Sequence, residues 1–207
     1  MKKIISTVLA FTLLLTFCAA LTACGKNKDD SSYGIFEDGG KTYFVANGGA
    51  IAIDGDTAST VATPTLSGEA KSEKLNAPAK LATEHFVYKT EKGNKYITGL
   101  TDDGKAASVL IIPSDVAGIE KGALSGGSLK SIVIAKRASG SLNLANGAFE
   151  GTSGLSVYIA CGTDSVSAGA NLLDGASGIK LIISADEYTN FKEHYLFKNF
   201  SENMSKL

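Results

Sequence analysis

The 207-residue sequence has no tryptophan, three prolines, two histidines and three cysteines. Two histidines leave little material for histidine-based catalysis. Charge of one sign is also missing: 20 Lys and Arg stand against 21 Asp and Glu, a net charge of -1. That balance excludes a strongly basic nucleic-acid binder, and no basic–aromatic alternation suggests nucleic acid either. Also absent are GxGxxG, a Walker loop, HExxH, GxSxG and a paired CxxC. Glu84-His85 and Glu193-His194 are adjacent pairs, read as surface polar residues because neighbours on a strand point to opposite faces. Asp54-Gly55-Asp56 is read as a turn, since Ala58 stands where a calcium loop needs its next oxygen ligand. The expectation is therefore no catalytic residue, no metal, no cofactor and no enzyme. What is abundant is glycine, 23 residues, which means many turns. The 44% hydrophobic content is that of an ordinary folded protein.

The chain opens Met1-Lys2-Lys3 and then runs apolar from Ile4 to Leu21. A charged start, an apolar run and a small-residue exit describe a secretory signal, with an uncleaved anchor or a plain signal as the alternatives. Leu21-Thr22-Ala23-Cys24 resembles the bacterial lipobox. That resemblance implies a signal peptide over 1–23, lipidation of Cys24 and a mature chain that begins there. The protein would then be lipid-anchored on the extracytoplasmic face of the cell membrane, through acyl chains that each gain about 0.8 kcal/mol per buried CH2. It also implies that Cys18 is discarded and Cys24 consumed. Cys161 is then left without an internal disulfide partner and is read as a small buried hydrophobe.

Residues 24–32 contain GKNKDDSS, with nothing to bury, and read as a tether. Residues 33–55 read as a small β-hairpin segment turning at Asp38-Gly39-Gly40, with Ala50 to Ile53 as a third strand, too small to fold alone. Residues 56–83, rich in Ala, Ser, Thr and Lys and holding Pro64 and Pro78, read as a linker. Residues 84–207 form the main domain, expected to fold by itself.

That domain is periodic. Gly122-Ala123-Leu124-Ser125-Gly126, Gly147-Ala148-Phe149-Glu150-Gly151 and Asn171-Leu172-Leu173-Asp174-Gly175 share one pattern. Alternating apolar strands recur around them, at Leu110/Ile112, Ile132/Ile134, Val157/Ile159 and Leu181/Ile183. Between each strand and its glycine element sits a shorter apolar pair, Val116 with Ile119, Leu142 with Leu144, Val166 with Ala168. Such repeats stack, because one coil cannot bury its apolar face alone. The expected fold is mainly β, a short solenoid with parallel strands.

The stretch VLIIPSDVAGIEKGALSGGSLKSIVIA resembles the BspA-like leucine-rich repeat, with Leu110, Ile112, Pro113, Val116, Ile119, Ala123 and Leu124 on its recurring positions. Leu129, Ile132, Ile134, Ala148 and Phe149 follow in the next unit. The likeness covers about residues 84 to 200 and departs where Gly127, Ser153 and Ser177 replace a turn cysteine. It implies a leucine-rich-repeat-like solenoid with an N-terminal capping hairpin and a C-terminal capping helix, in an adhesion-type surface module that binds a protein or glycan. The competing expectation is a structural envelope lipoprotein without an external ligand. Phe86–Tyr88 and Tyr96–Thr98 supply the hairpin. Ser184-Ala185-Asp186-Glu187 reads as a helix capping box, with Tyr188, Phe191 and Tyr195 as a lid.

If the alternating residues point inward, Ile111, Val133, Tyr158 and Ile182 point outward and form one apolar ladder. These four are the candidate binding residues. Segment 33–55 folding back over them and an external partner are rival occupants, and plain strand propensity is the third explanation. The long polar linker favours a free ladder.

Overall fold

The computed structural model describes residues 34–46, 49–62, 83–135, 137 and 140–207. The expected signal peptide, Cys24, the expected tether and most of the expected linker lie outside the described residues.

The chain first builds a four-stranded antiparallel meander: β1 (Gly34–Asp38), β2 (Lys41–Ala46), β3 (Gly49–Asp54) and β4 (Thr57–Val61), in that spatial order. Gly39-Gly40 makes the first turn, and Asp38 pairs with Lys41 across it. The Asp54-Gly55-Asp56 stretch is the turn into β4, where Asp54 Oδ2 accepts from Lys41 Nζ at 2.9 Å. The expected boundary at residue 56 is therefore corrected. Thr57 to Val61 looks like linker by composition but completes the meander, because β3 offers it a full row of backbone partners.

After a 3-10 turn (Thr83–His85) comes a hairpin, β5 (Phe86–Glu91) and β6 (Asn94–Leu100), then the short helix α1 (Asp102–Ala106), whose first turn Thr101 caps by accepting from Gly104 N. From there the chain alternates between two sheets. Strands β7 (Val109–Ile111), β9 (Ser131–Ala135), β11 (Ser156–Ala160) and β13 (Lys180–Ile183) enter an all-parallel sheet. The shorter strands β8 (Val116–Ile119), β10 (Leu142–Leu144) and β12 (Val166–Ala168) add in parallel to β6. The second sheet thus has the order β12-β10-β8-β6-β5 and is called here the hairpin sheet. The fold is mainly β with parallel sheets, and the register couples residues one sequence repeat apart: Leu110 faces Ile132, and Val157 faces both Ile132 and Leu181.

Both sheets supply one core. Leu110, Ile112, Ile132, Ile134, Val157, Ile159, Leu181 and Ile183 are buried with Ile97, Val116, Ile119, Leu142, Leu144 and Val166. The glycine elements are turns that bond repeat to repeat: Gly122 N donates to Gly147 O at 2.9 Å, and Gly147 N to Asn171 O at 2.8 Å. Their closing glycines 126, 151 and 175 have φ of 78°, 79° and 70°, the left-handed region that a side chain disfavours.

The C-terminal end differs from expectation. Helix α2 (Tyr188–Glu193) has only six residues, and Glu187 stands at its N-cap without a side-chain hydrogen bond. Ser184 does not cap it. It continues the parallel sheet, its N–H donating to Ile159 O, and is fully buried, so the capping box does not form. Phe191 is buried and packs edge-on against Phe197 at 4.9 Å, and Tyr188 packs against the core, whereas Tyr195 is 71% exposed with its ring beside that of His194. A 3-10 turn (Lys198–Asn203) then leads into β14 (Met204–Lys206), which pairs in parallel with β13 and ends the parallel sheet. The expected domain held no strand there.

Candidate functional site

Ile111, Val133, Tyr158 and Ile182 stand in hydrogen-bonded register on four adjacent strands, so the ladder exists as a row. It is not a free surface. Val133 is 0% exposed, Tyr158 6% and Ile111 8%, and Ile182 is half-buried. The cover is the meander. Phe44 and Ile51 belong to the same buried cluster, Ile53 and Ala58 pack against it, and Tyr158 Oη donates to Ala58 O at 3.4 Å. These meander residues share one side of their sheet, since Phe44 pairs with Ile51 and Ala58 with Ile53. Leu207, beside β14, lies 3.6 Å from where a side chain on Gly49 would begin. The assignment of Ile111, Val133, Tyr158 and Ile182 as binding residues is therefore corrected: they are internal packing. The physical reason is that an all-parallel sheet buries both faces. Each large apolar side chain removed from water in this way gains about 1.5–3 kcal/mol.

The outer face of the hairpin sheet is different. Its inward residues Ile97, Ile119, Leu144 and Ala168 are buried. The residues one position earlier face out: Tyr96, Gly118, Asn143 and Ser167, paired in a row across β6, β8, β10 and β12. Lys89 on β5 extends the row beside Tyr96. Asn143 and Thr98 are exposed, and Val87 is 46% exposed. Gly118 is needed for a close approach. A Cβ there would stand 3.0 Å from Tyr96 Cδ1 and from Asn143 O, so the tyrosine ring occupies the space a side chain would take.

Three lysines around this face are ion-paired. Lys89 Nζ lies 3.0 Å from Glu120 Oε1 and 3.6 Å from Glu91 Oε2. Its hydrogen bond to Glu120 raises the ammonium above its ordinary pKa. Lys95 Nζ is 3.0 Å from Asp115 Oδ2 and 3.9 Å from the Tyr88 ring centroid. Burial first, and Asp115 second, push the Tyr88 phenol up to about 12. Lys121 Nζ and Glu150 Oε2 pair at 3.1 Å between successive repeats.

Two further polar groups are structural. The buried Arg137 guanidinium donates to the carbonyls of Pro113, Ser114 and Val116, stapling its own repeat to the preceding one; burial lowers its pKa. Cys161 is fully buried, and loss of solvent pushes its thiol up to about 12, with Asp164 adding to the shift and Arg137 opposing it. A neutral thiol of that kind is a poor nucleophile. The two Glu–His pairs are not on strands. His85 ends a 3-10 turn and is half-buried, and His194 caps α2 with its ring 4.8 Å from Tyr195. Among the described residues no group of three His, Cys, Asp or Glu side chains is placed to hold a metal ion, and no helix is long and apolar enough to cross a membrane.

Comparison with protein families, with curated proteins and with solved structures finds no match to this chain. The row Tyr96, Asn143, Ser167 was not singled out by the sequence reading. Its signal was present in part: Asn143 precedes Leu144 and Ser167 precedes Ala168 in the short apolar pairs, and Tyr96 precedes Ile97 in the opening hairpin.

Proposed function

We propose that this protein is a surface lipoprotein whose stacked repeats form a leucine-rich-repeat-like solenoid of the BspA-like kind and serve as a non-enzymatic, adhesion-type binding module. Lipid on Cys24 would hold it on the extracytoplasmic face of the cell membrane, and its ligand would be a protein or glycan met by the open face of the hairpin sheet. Support for the solenoid comes from strand-by-strand alternation between two sheets, in register at the spacing of the sequence repeat. The observation that carries the binding reading is the contrast between faces. The apolar one is closed by the meander, and the polar one around Asn143 is left to solvent.

The second reading, a structural member of an envelope complex, is favoured by the same neutral and ion-paired surface if that face is occupied in the cell. Asn143→Cys separates the two, because the native Cys161 is buried and unreactive. A membrane-impermeant maleimide should label the variant on intact cells as fast as it labels the purified protein. Labelling of the purified protein alone would replace the binding module with the structural reading. Replacing Cys24 by Ala should move the protein out of the membrane fraction or leave an unprocessed precursor. Mass spectrometry of an unmodified Cys24 in the mature wild type would remove the anchor from the proposal.

A further inference from the structure

This inference rests on the binding reading and gives it a place and a ligand class. Lys89, Tyr96, Gly118, Asn143 and Ser167 form one row across all five strands of the hairpin sheet. At about 4.8 Å per strand the row is about 19 Å long. We propose that it is a platform for an extended neutral glycan chain lying across the strands, with the Tyr96 ring as the stacking surface and the Asn143 amide and Ser167 hydroxyl as partners for sugar hydroxyls.

Three observations define this ligand. The first is the ring. Gly118 makes the space in which Tyr96 lies over the sheet, with Cδ1 and Cε1 at 3.0 and 3.2 Å from the position a Cβ would take. Lys89 Nζ stands 5.5 Å from the centroid of this half-buried ring, and the part left uncovered is an aromatic surface that suits the C–H face of a sugar ring. The second is charge. Lys89, the only charged member of the row, is held by Glu120 and Glu91, and the flanking Lys95–Asp115 and Lys121–Glu150 pairs are closed as well. An ionic polymer would compete with these pairs, whereas a neutral chain leaves them intact. The third is hydrogen bonding. Ser167 Oγ donates to Asn143 Oδ1 at 3.3 Å, which orients the amide, and among the described residues no acceptor takes up the amide hydrogens of Asn143. A chain of hydroxyls offers acceptors at every unit, and an extended glycan repeats at a step close to the strand spacing. A protein ligand fits less well. A stable interface buries about 800 Å² per partner around an apolar centre, and this face offers the exposed Val87 and the half-buried Tyr96.

The test is calorimetric titration of the full chain with cellohexaose, mannohexaose and the hexamer of N-acetylglucosamine. Saturable binding of at least one is expected, with little change between low and high salt, because no ion pair forms. Tyr96→Ala should weaken it about tenfold or more, and Tyr96→Phe should keep it, since the ring and not the phenol does the stacking. Asn143→Ala, at an exposed position that folding tolerates, should weaken it several-fold. The proposal is overturned if none of the three sugars binds, or if Tyr96→Ala and Asn143→Ala bind as the wild type does. Steeply salt-dependent binding of heparin in their place also overturns it. A protein ligand lost on Tyr96→Ala would overturn the glycan and keep the binding reading. A face that stays blocked to maleimide on intact cells would remove both.

Discussion

The parallel sheet and the hairpin sheet come from the same repeats, yet they meet opposite surroundings. Three successive repeats contribute a strand to each, β7 with β8, β9 with β10 and β11 with β12, while β13 joins the parallel sheet alone. In the parallel sheet the outward row is Ile111, Val133, Tyr158 and Ile182, and the meander lies on it. In the hairpin sheet the outward row is Tyr96, Gly118, Asn143 and Ser167, and water meets it at Asn143. Composition follows position. Strands buried on two faces read as nearly unbroken apolar runs, VLII, SIVIA, SVYIA and KLII. Strands with one open face read as alternation, as in LNL and VSA. The same stretch of chain therefore supplies one face to internal packing and leaves another to solvent.

The sharpest way to break this comparison is to place the same charge on each outward row. Val133→Lys puts an ammonium between two packed sheets and should destabilise the protein by about 4 kcal/mol or more, enough to abolish a cooperative melt. Asn143→Lys should shift stability by no more than about 0.5 kcal/mol, as exposed substitutions do. Equal effects in denaturant titrations would mean that the two faces are not different.

A second comparison sets the two layers of packing against each other. Ile134→Ala, inside the stacked repeats, should cost about 2–5 kcal/mol, and Phe44→Ala, in the cover, about 3–5 kcal/mol. Comparable losses in a single transition would make the meander part of one folding unit, in agreement with its place in one compact unit with the repeats. A chain lacking residues 34–61 should then self-associate through its bared ladder, which light scattering would detect. A monodisperse, fully stable monomer would return the ladder to the status of a free face.

The third effect is on pH. The Cys161 thiol is raised from 9.0 to about 12 when folded, so the native state holds its proton where the unfolded chain has lost it. That stabilisation is complete below pH 9 and is lost as pH climbs towards 12, at up to about 1.4 kcal/mol per pH unit. Tyr88, raised from 10.0 to about 12, adds in the upper part of the window. Cys161→Ala should flatten the alkaline fall in denaturant midpoints. An unchanged slope would show that the thiol is not buried as described.

Much of the mainly-β, parallel-sheet architecture was legible in the sequence. Leu110/Ile112 and their successors mark inward positions by alternation, the glycine elements mark turns, and Lys92-Gly93 marks the opening hairpin. All of these are local signals, readable within a few residues. The C-terminal cap was less legible. Ser184 carries the letters of a capping box, but bonding to Ile159 holds it in the sheet, so helix α2 starts later. Strand β14 has almost no apolar pattern in Met-Ser-Lys and exists because β13 offers it an unpaired edge.

The sequence by itself determined which residues turn, which alternate and which recur, because backbone preference and side-chain period act over short distances. It also determined that Ile111, Val133, Tyr158 and Ile182 share a row. Only the tertiary structure decided what lies on that row. Phe44 and Ile51 are more than fifty residues from Ile111, and no local pattern records which of two sheet faces a distant meander will cover. Burial is a relation between segments. The outward row of the parallel sheet became core because a second apolar sheet came to rest on it, and the row through Tyr96 and Asn143 stayed a surface because its polar groups and closed ion pairs gain nothing from being taken out of water.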